Sequence, residues 1–300
     1  MSRDKSLAND GFMPTFALPR DPRYFQIAAL TTLLTFGLTQ RAFEIPLPHF
    51  AGIVLAACAT QWLGALMIAS RADFKSPLIT ALSLTLLLRA DSVWPLMAAA
   101  AIAVGSKFTA RLGGKHLFNP ANLGIVAMVL FTDLVWTTPG QWGSATWLAA
   151  IMAGGGFFVA YRAARIDVPL VFLGTFGALI FARALWLGDP LSIPLLRLEN
   201  GALILFAFFM ISDPKTTPDG AIARAAFSAS VAALAYVLSY HYFITDGLFY
   251  ALAIMCVVRP VMEFFNPASR YQWGDAPAPI RIAGAPIAIR TIKQGEHPCP

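Results

Sequence analysis

Long runs that are apolar on every side constrain this chain more than any other feature. Residues 97–104, 123–131 and 203–211 contain no polar face, so a helix built from them has nothing to turn toward water. Such runs belong in a bilayer. Composition agrees: 57% of residues are hydrophobic and only 13% charged, at a mean hydropathy of +0.64, whereas soluble domains carry roughly 25% charged residues. The net charge of +6 does not point to nucleic acid, because the cations punctuate apolar spans rather than gathering on one polar face. Cys58 and Cys256 lie inside apolar runs and Cys299 near the end, which excludes a disulfide framework and a cysteine zinc or iron–sulfur site. The first apolar run begins near Tyr24 with no small-residue cleavage site, so residues 1–23 read as a cytosolic lead-in rather than a signal peptide.

Apolar stretches bounded by charge, Pro or Gly predict spans near 24–40, 50–69, 77–90, 93–108, 120–136, 145–161, 168–187, 201–212, 224–242 and 247–264. The third and eighth are short and end at Asp91 and Asp213, which predicts short or broken helices there. With a cytosolic N-terminus, 18 of the 22 Lys and Arg fall on the inside; only Arg41, Arg89, Arg183 and Arg197 fall outside. Both termini are therefore expected in the cytosol. Asp91 and Asp213 are 122 residues apart, and the first and sixth spans start 121 apart. Two units of five spans must face opposite ways, as in inverted-repeat transport folds. The expectation is an all-α integral membrane protein of about ten transmembrane helices in two inverted five-helix repeats, 24–136 and 145–264. The membrane domain covers 24–266, and residues 267–300 read as a loose cytosolic tail with a strand signal near 287–290.

Two segments carry candidate chemistry. In Arg111-Leu-Gly-Gly-Lys-His-Leu-Phe-Asn-Pro-Ala-Asn-Leu-Gly124, Gly113 and Gly114 allow close backbone approach, and Asn119-Pro120 at a helix start leaves N–H groups free for an anion or polar headgroup. A tight loop and helix cap with no ligand is the equal alternative. In Ala207-Phe-Phe-Met-Ile-Ser-Asp-Pro-Lys-Thr-Thr-Pro218, an apolar span stops at Asp213-Pro214, by itself an ordinary helix stop.

Together, the Gly pair, Phe118-Asn119-Pro120-Ala121 and, about ninety residues on, Ser212-Asp213-Pro214-Lys215 resemble the membrane family that contains the D subunit of Rnf complexes and the B subunit of sodium-pumping NADH:quinone reductase. Ser76-Pro-Leu-Ile-Thr-Ala-Leu82, Gly154-Gly-Gly156 and Asp246-Gly-Leu-Phe-Tyr-Ala-Leu252 follow in the same order, and the likeness spans roughly residues 24–266. It implies ten helices in two inverted repeats, flavin held within the membrane, and electron transfer coupled to sodium or proton movement alongside redox partner subunits. It also implies a cofactor site at Gly113, Gly114, Phe118, Asn119, Pro120, Asp213, Pro214 and Lys215, with quinone binding linked to the Gly pair. Family members attach FMN to a Thr within Ser/Thr-Gly-Ala-Thr. Here Gly143 and Ser144 precede Ala145 and Thr146, so Thr146 departs from the pattern, and FMN or riboflavin is expected without a covalent bond.

Other polar groups have plainer readings. Arg183, Arg259, His241 and Glu263 near span ends read as snorkelling groups, Gln61 as an interhelical hydrogen bond, and Trp136, Trp142, Trp147 and Trp186 as an interfacial belt. His49 and His116 lack the spacing of a haem pair. No Gly-rich nucleotide loop occurs, so NADH oxidation would lie in another chain. The expected role is an electron-transport subunit in the cytoplasmic membrane, binding flavin, quinone or both, rather than a complete enzyme. Two readings stay open beside it: a channel or carrier for a small solute on the same scaffold, and a membrane scaffold for another complex.

Overall fold

The computed structural model describes residues 21–40, 43–143 and 146–273. Its helices are α1 (Arg23–Gln40), α2 (Leu47–Met67), α3 (Lys75–Leu87), α4 (Val93–Thr109), α5 (Pro120–Phe131), α6 (Thr146–Arg162), α7 (Asp167–Leu187), α8 (Ser192–Leu198), α9 (Gly201–Met210), α10 (Ala221–His241) and α11 (Gly247–Phe265). Every apolar stretch read from the sequence carries a helix. Among the described residues, α2, α7, α10 and α11 have the length and apolarity to cross a membrane, and α8 with α9, bent by 47°, forms a fifth candidate.

The third and eighth segments are irregular, as the sequence predicts. The 13 residues of α3 reach about 20 Å at 1.5 Å per residue, short of the roughly 30 Å hydrocarbon core. Extended β1 (Leu88–Ala90) continues the chain, pairing antiparallel with β4 (Val135–Thr137). That pairing corrects the fifth span, read to 136: the helix stops at Phe131 because Val135–Thr137 is needed to satisfy β1. α8 was not anticipated, since seven residues bounded by Pro and Asn leave no helical period to detect. α9 ends in a π turn, Phe206–Met210.

Helix pairing repeats between the two halves. In the first, α1 packs on α3, α2 on α4, and α4 on α5; in the second, α6 packs on α9, α7 on α10, and α10 on α11. A Cβ on Gly124 would stand 2.6 Å from the Ala99 carbonyl oxygen, so only glycine allows α4 and α5 to close this far. The halves meet where α5 crosses α11, and fully buried Asn122 donates from Nδ2 to the Phe249 carbonyl at 3.0 Å.

One end of the bundle gathers the charged groups, where Arg23, Lys75, Lys107, Lys115, Arg165, Lys215, Arg224 and Arg259 stand among Asp21, Asp73, Asp167, Asp213, Asp219 and Glu263. This is the basic end. Arg259 does not snorkel: it is fully buried, donating to the His116 carbonyl at 3.1 Å with Glu263 3.7 Å away. Trp142 likewise leaves the expected belt, sitting in the core edge-on to Phe43 at 5.0 Å, whereas Trp136, Trp147 and Trp186 are exposed. Of the first tail residues, 267–270 are exposed and Tyr271 is buried, its ring 4.8 Å from the Arg165 guanidinium. The strand signal at 287–290 lies outside the described residues.

Candidate functional site

A π turn lets the backbone hydrogen-bond ladder slip by one residue and frees carbonyls that need donors from elsewhere. At the end of α9 those donors come from the other half of the chain. Gln26 of α1 reaches the Phe209 carbonyl at 3.4 Å, and Asn119 Nδ2 reaches the Met210 carbonyl at 3.2 Å and Asp213 Oδ2 at 3.4 Å. Asn119 also caps α5, its Oδ1 accepting from the Asn122 backbone N–H at 3.0 Å. One side chain thus starts α5 and ties it to the stop of α9. Past that stop, Asp213 folds the chain back on itself, accepting from the Lys215 N–H at 2.9 Å and, through its carbonyl, from the Thr216 and Thr217 N–H groups.

Beneath this junction lies a cavity of about 240 Å³ at the basic end. Its floor is polar where α3 presents Ser76, Thr80 and Ser83, and α2 presents Gln61. Lys107, 5% exposed, donates to Gln61 Oε1 at 2.7 Å and Ser76 Oγ at 3.1 Å, so Gln61 does make an interhelical bond. Arg23, Arg111 and Lys215 add positive charge against Asp73 and Asp213. His116 lines the same wall, and its buried Nδ1 has no hydrogen-bond partner. Burial first, then the charges of Lys107, Arg111 and Lys215, hold its imidazole down at about 4, so it is neutral at physiological pH. Trp273 closes the mouth, its ring 4.7 Å from the Arg23 guanidinium.

Of the residues singled out from sequence, Asn119, Pro120, Asp213 and Lys215 line this cavity. Phe118 packs against the core beside it, and Pro214 is buried in the turn. Gly113 and Gly114 are exposed at the tip of a hairpin formed by β2 (Arg111–Leu112) and β3 (Lys115–His116). Their φ values of 58° and 82° suit the two central residues of a tight hairpin turn. The Gly pair therefore positions Lys115 and His116 and is not part of the cavity lining. Thr146 is exposed as the first residue of α6, at the opposite end of the molecule. Ser144 lies outside the described residues. Lys107 and His116 escaped sequence reading as site residues; the signal available was a lysine inside the last turn of an apolar helix.

Residues 130–272 match the NQR2, RnfD, RnfE family. Over that segment the chain is similar to this family. The Asp213–Lys215 wall of the cavity lies inside the matched segment and Asn119–Pro120 outside it. Curated relatives include the D subunit of the ion-translocating oxidoreductase complex from Escherichia coli O1:K1 / APEC, 30% identical over 126 residues. The same-named protein of Klebsiella pneumoniae (strain 342) is 30% identical over 128 residues. Each alignment covers 42% of this chain and 35% of the relative, so about a third of the relatives' length is represented. The apolar helices and the family together make this a multi-pass membrane protein.

Proposed function

We propose that the protein is a membrane-embedded electron-transfer subunit of an ion-translocating complex, and that the basic-end cavity holds the ring of a flavin or quinone. The observation that carries this reading is the convergence, on one cavity, of two motifs about ninety residues apart, joined by the hydrogen bonds from Asn119 to Met210 and Asp213. The residues suit such a ring. Lys107 supplies a buried cation and His116 an unpartnered ring nitrogen, and Lys215 and Arg111 stand nearer the mouth. At 240 Å³ the cavity lies below the roughly 300–1,000 Å³ usual for whole ligands. It suits FMN, riboflavin or a quinone with only the ring inside, leaving a phosphate or tail at the basic mouth. When bound, such a ring supplies the one- and two-electron chemistry. The chain's own contribution is position and field, with Lys107 favouring electron density on the ring oxygens.

The repeated helix pairing supports two inverted five-helix repeats, with α8 and α9 as one broken span and ten spans in all. The basic end then faces the cytosol with both termini, and partner subunits supply the electron donor and the path for sodium or protons. An absorbance spectrum of the detergent-purified protein, followed by acid precipitation, tests the reading. Flavin released into the supernatant, or a quinone extracted with solvent, is the expected result. Flavin retained on the polypeptide would move the site to Thr146. A colourless, quinone-free protein, unchanged after supplying riboflavin, FMN and quinone, would overturn the redox role.

A further inference from the structure

A second cavity, of about 310 Å³, opens at the end opposite the basic one. Two irregularities in the second half make room for it. The chain breaks between α8 and α9, and the last residues of α10, Val237–His241, form a π turn that carries Ser239 and Tyr240 into the wall. Phe176, Leu203 and Leu248 line its apolar side, and Asn200 and Tyr240 its polar side. Such turns recur at ligand sites because the widened backbone is retained only where something uses it. Phe243 adds a further irregularity at the rim, with φ of 57° and 80% of its surface exposed.

Charge decides what the cavity accepts. Arg197 lines it, exposed, and among the described residues its guanidinium forms no ion pair or hydrogen bond. Arg183 lies 5.3 Å from the Tyr240 ring and is held only by Asp189 at 3.6 Å. Cations are scarce at this end: among the described residues only Arg89 joins these two, and Arg89 is occupied by Gln141 and backbone carbonyls. A guanidinium left unpaired beside an apolar pocket is matched to a carboxylate or phosphate, which its planar donor fork binds two-pronged.

We propose that this cavity binds an anionic amphiphile, an apolar chain or ring carrying one carboxylate or phosphate, with Arg197 taking the anionic group and Phe176, Leu203 and Leu248 the apolar part. The site is separate from the redox cavity and does not depend on what that cavity holds. Its position matches the first: each lies against the third helix of its half, the end of the fourth and the start of the fifth.

The test uses the full chain in nanodiscs, with native mass spectrometry reading the retained amphiphile. One arm dopes phosphatidylcholine with phosphatidylglycerol, and the other adds laurate to phosphatidylcholine alone. Wild type should retain one anionic molecule. Arg197→Gln, at an exposed position, should weaken retention at least tenfold, as should Ala202→Leu, which fills the wall; Arg197→Lys should keep most of it. Retention of phosphatidylglycerol identifies a bilayer lipid as the source, and retention of laurate alone identifies a free amphiphile. Retention of neither, or retention unchanged in both weakening variants at matched melting temperature, overturns the proposal.

Discussion

His116 shows how one side chain can report on the cavity. Its Nδ1 is buried without a partner, and burial together with Lys107, Arg111 and Lys215 keeps its pKa near 4 against an ordinary 6.5. Above pH 6.5 the folded and unfolded chains both carry it neutral. Between 6.5 and 4 the unfolded chain takes up a proton that the folded chain resists, so stability falls as pH falls through that window, by on the order of 2 kcal/mol. The melting temperature of wild type should therefore decline from pH 7 to pH 4.5 more steeply than that of His116→Asn. Parallel curves would show that His116 does not titrate as described. Lys107 is the opposite case, a cation kept inside the bundle by Gln61 and Ser76. Reading it from sequence was hard for a physical reason. A lysine near a span end is ordinarily a snorkelling group, and only the approach of α2 and α3 turns this one inward.

At the scale of elements, helix positions were legible because bilayer burial demands apolar runs of defined length, and ten such runs became helices. Their irregularities were legible only in part. Asp91 and Asp213 marked the short third and eighth segments, yet β1 and β4 pair across 45 residues or more, a register no local pattern specifies. For the Gly113-Gly114 pair the sequence leaves open room for a ligand or a tight loop, and the structure has the tight hairpin turn. Both glycines have positive φ, and a Cβ on Gly114 would lie 2.9 Å from an Arg270 guanidinium nitrogen, against 3.6 Å for Gly113. Gly113→Ala and Gly114→Ala should each cost about 1–2 kcal/mol from the left-handed backbone, because the Arg270 side chain is exposed and can move away. Thermal unfolding of the two variants measures this; negligible losses in both would contradict the hairpin reading.

At the scale of the whole molecule, an ionic network at the basic end fastens the two halves together. Lys115 from the first-half hairpin reaches Asp219 at 3.0 Å, Glu263 at 2.8 Å and the Thr217 carbonyl at 2.7 Å, all in the second half, and Arg165 shares Asp219 at 3.2 Å. With Lys115 8% and Asp219 7% exposed in their side chains, removing the lysine strands buried charge. Lys115→Met is expected to destabilise by roughly 3–5 kcal/mol, while Arg224→Gln, whose partner Asp167 is 36% exposed, should cost about 1 kcal/mol or less. Denaturation in detergent compares them, and a Lys115→Met loss no larger than that of Arg224→Gln would refute the network's role. None of these pairings was legible in the sequence, because they join residues up to 148 positions apart. What could be read was the sidedness of the charge, and that sidedness is where the network forms.

We propose that the basic-end cavity, and not the Thr146 end, holds the redox ring. Titration of the nanodisc-embedded protein with riboflavin and with a short-chain quinone, on wild type, Lys107→Met and Thr146→Ala, tests it most directly. Binding of at least one of the two is expected, weakened at least tenfold by Lys107→Met and unchanged by Thr146→Ala. Binding that survives Lys107→Met and disappears in Thr146→Ala would contradict it.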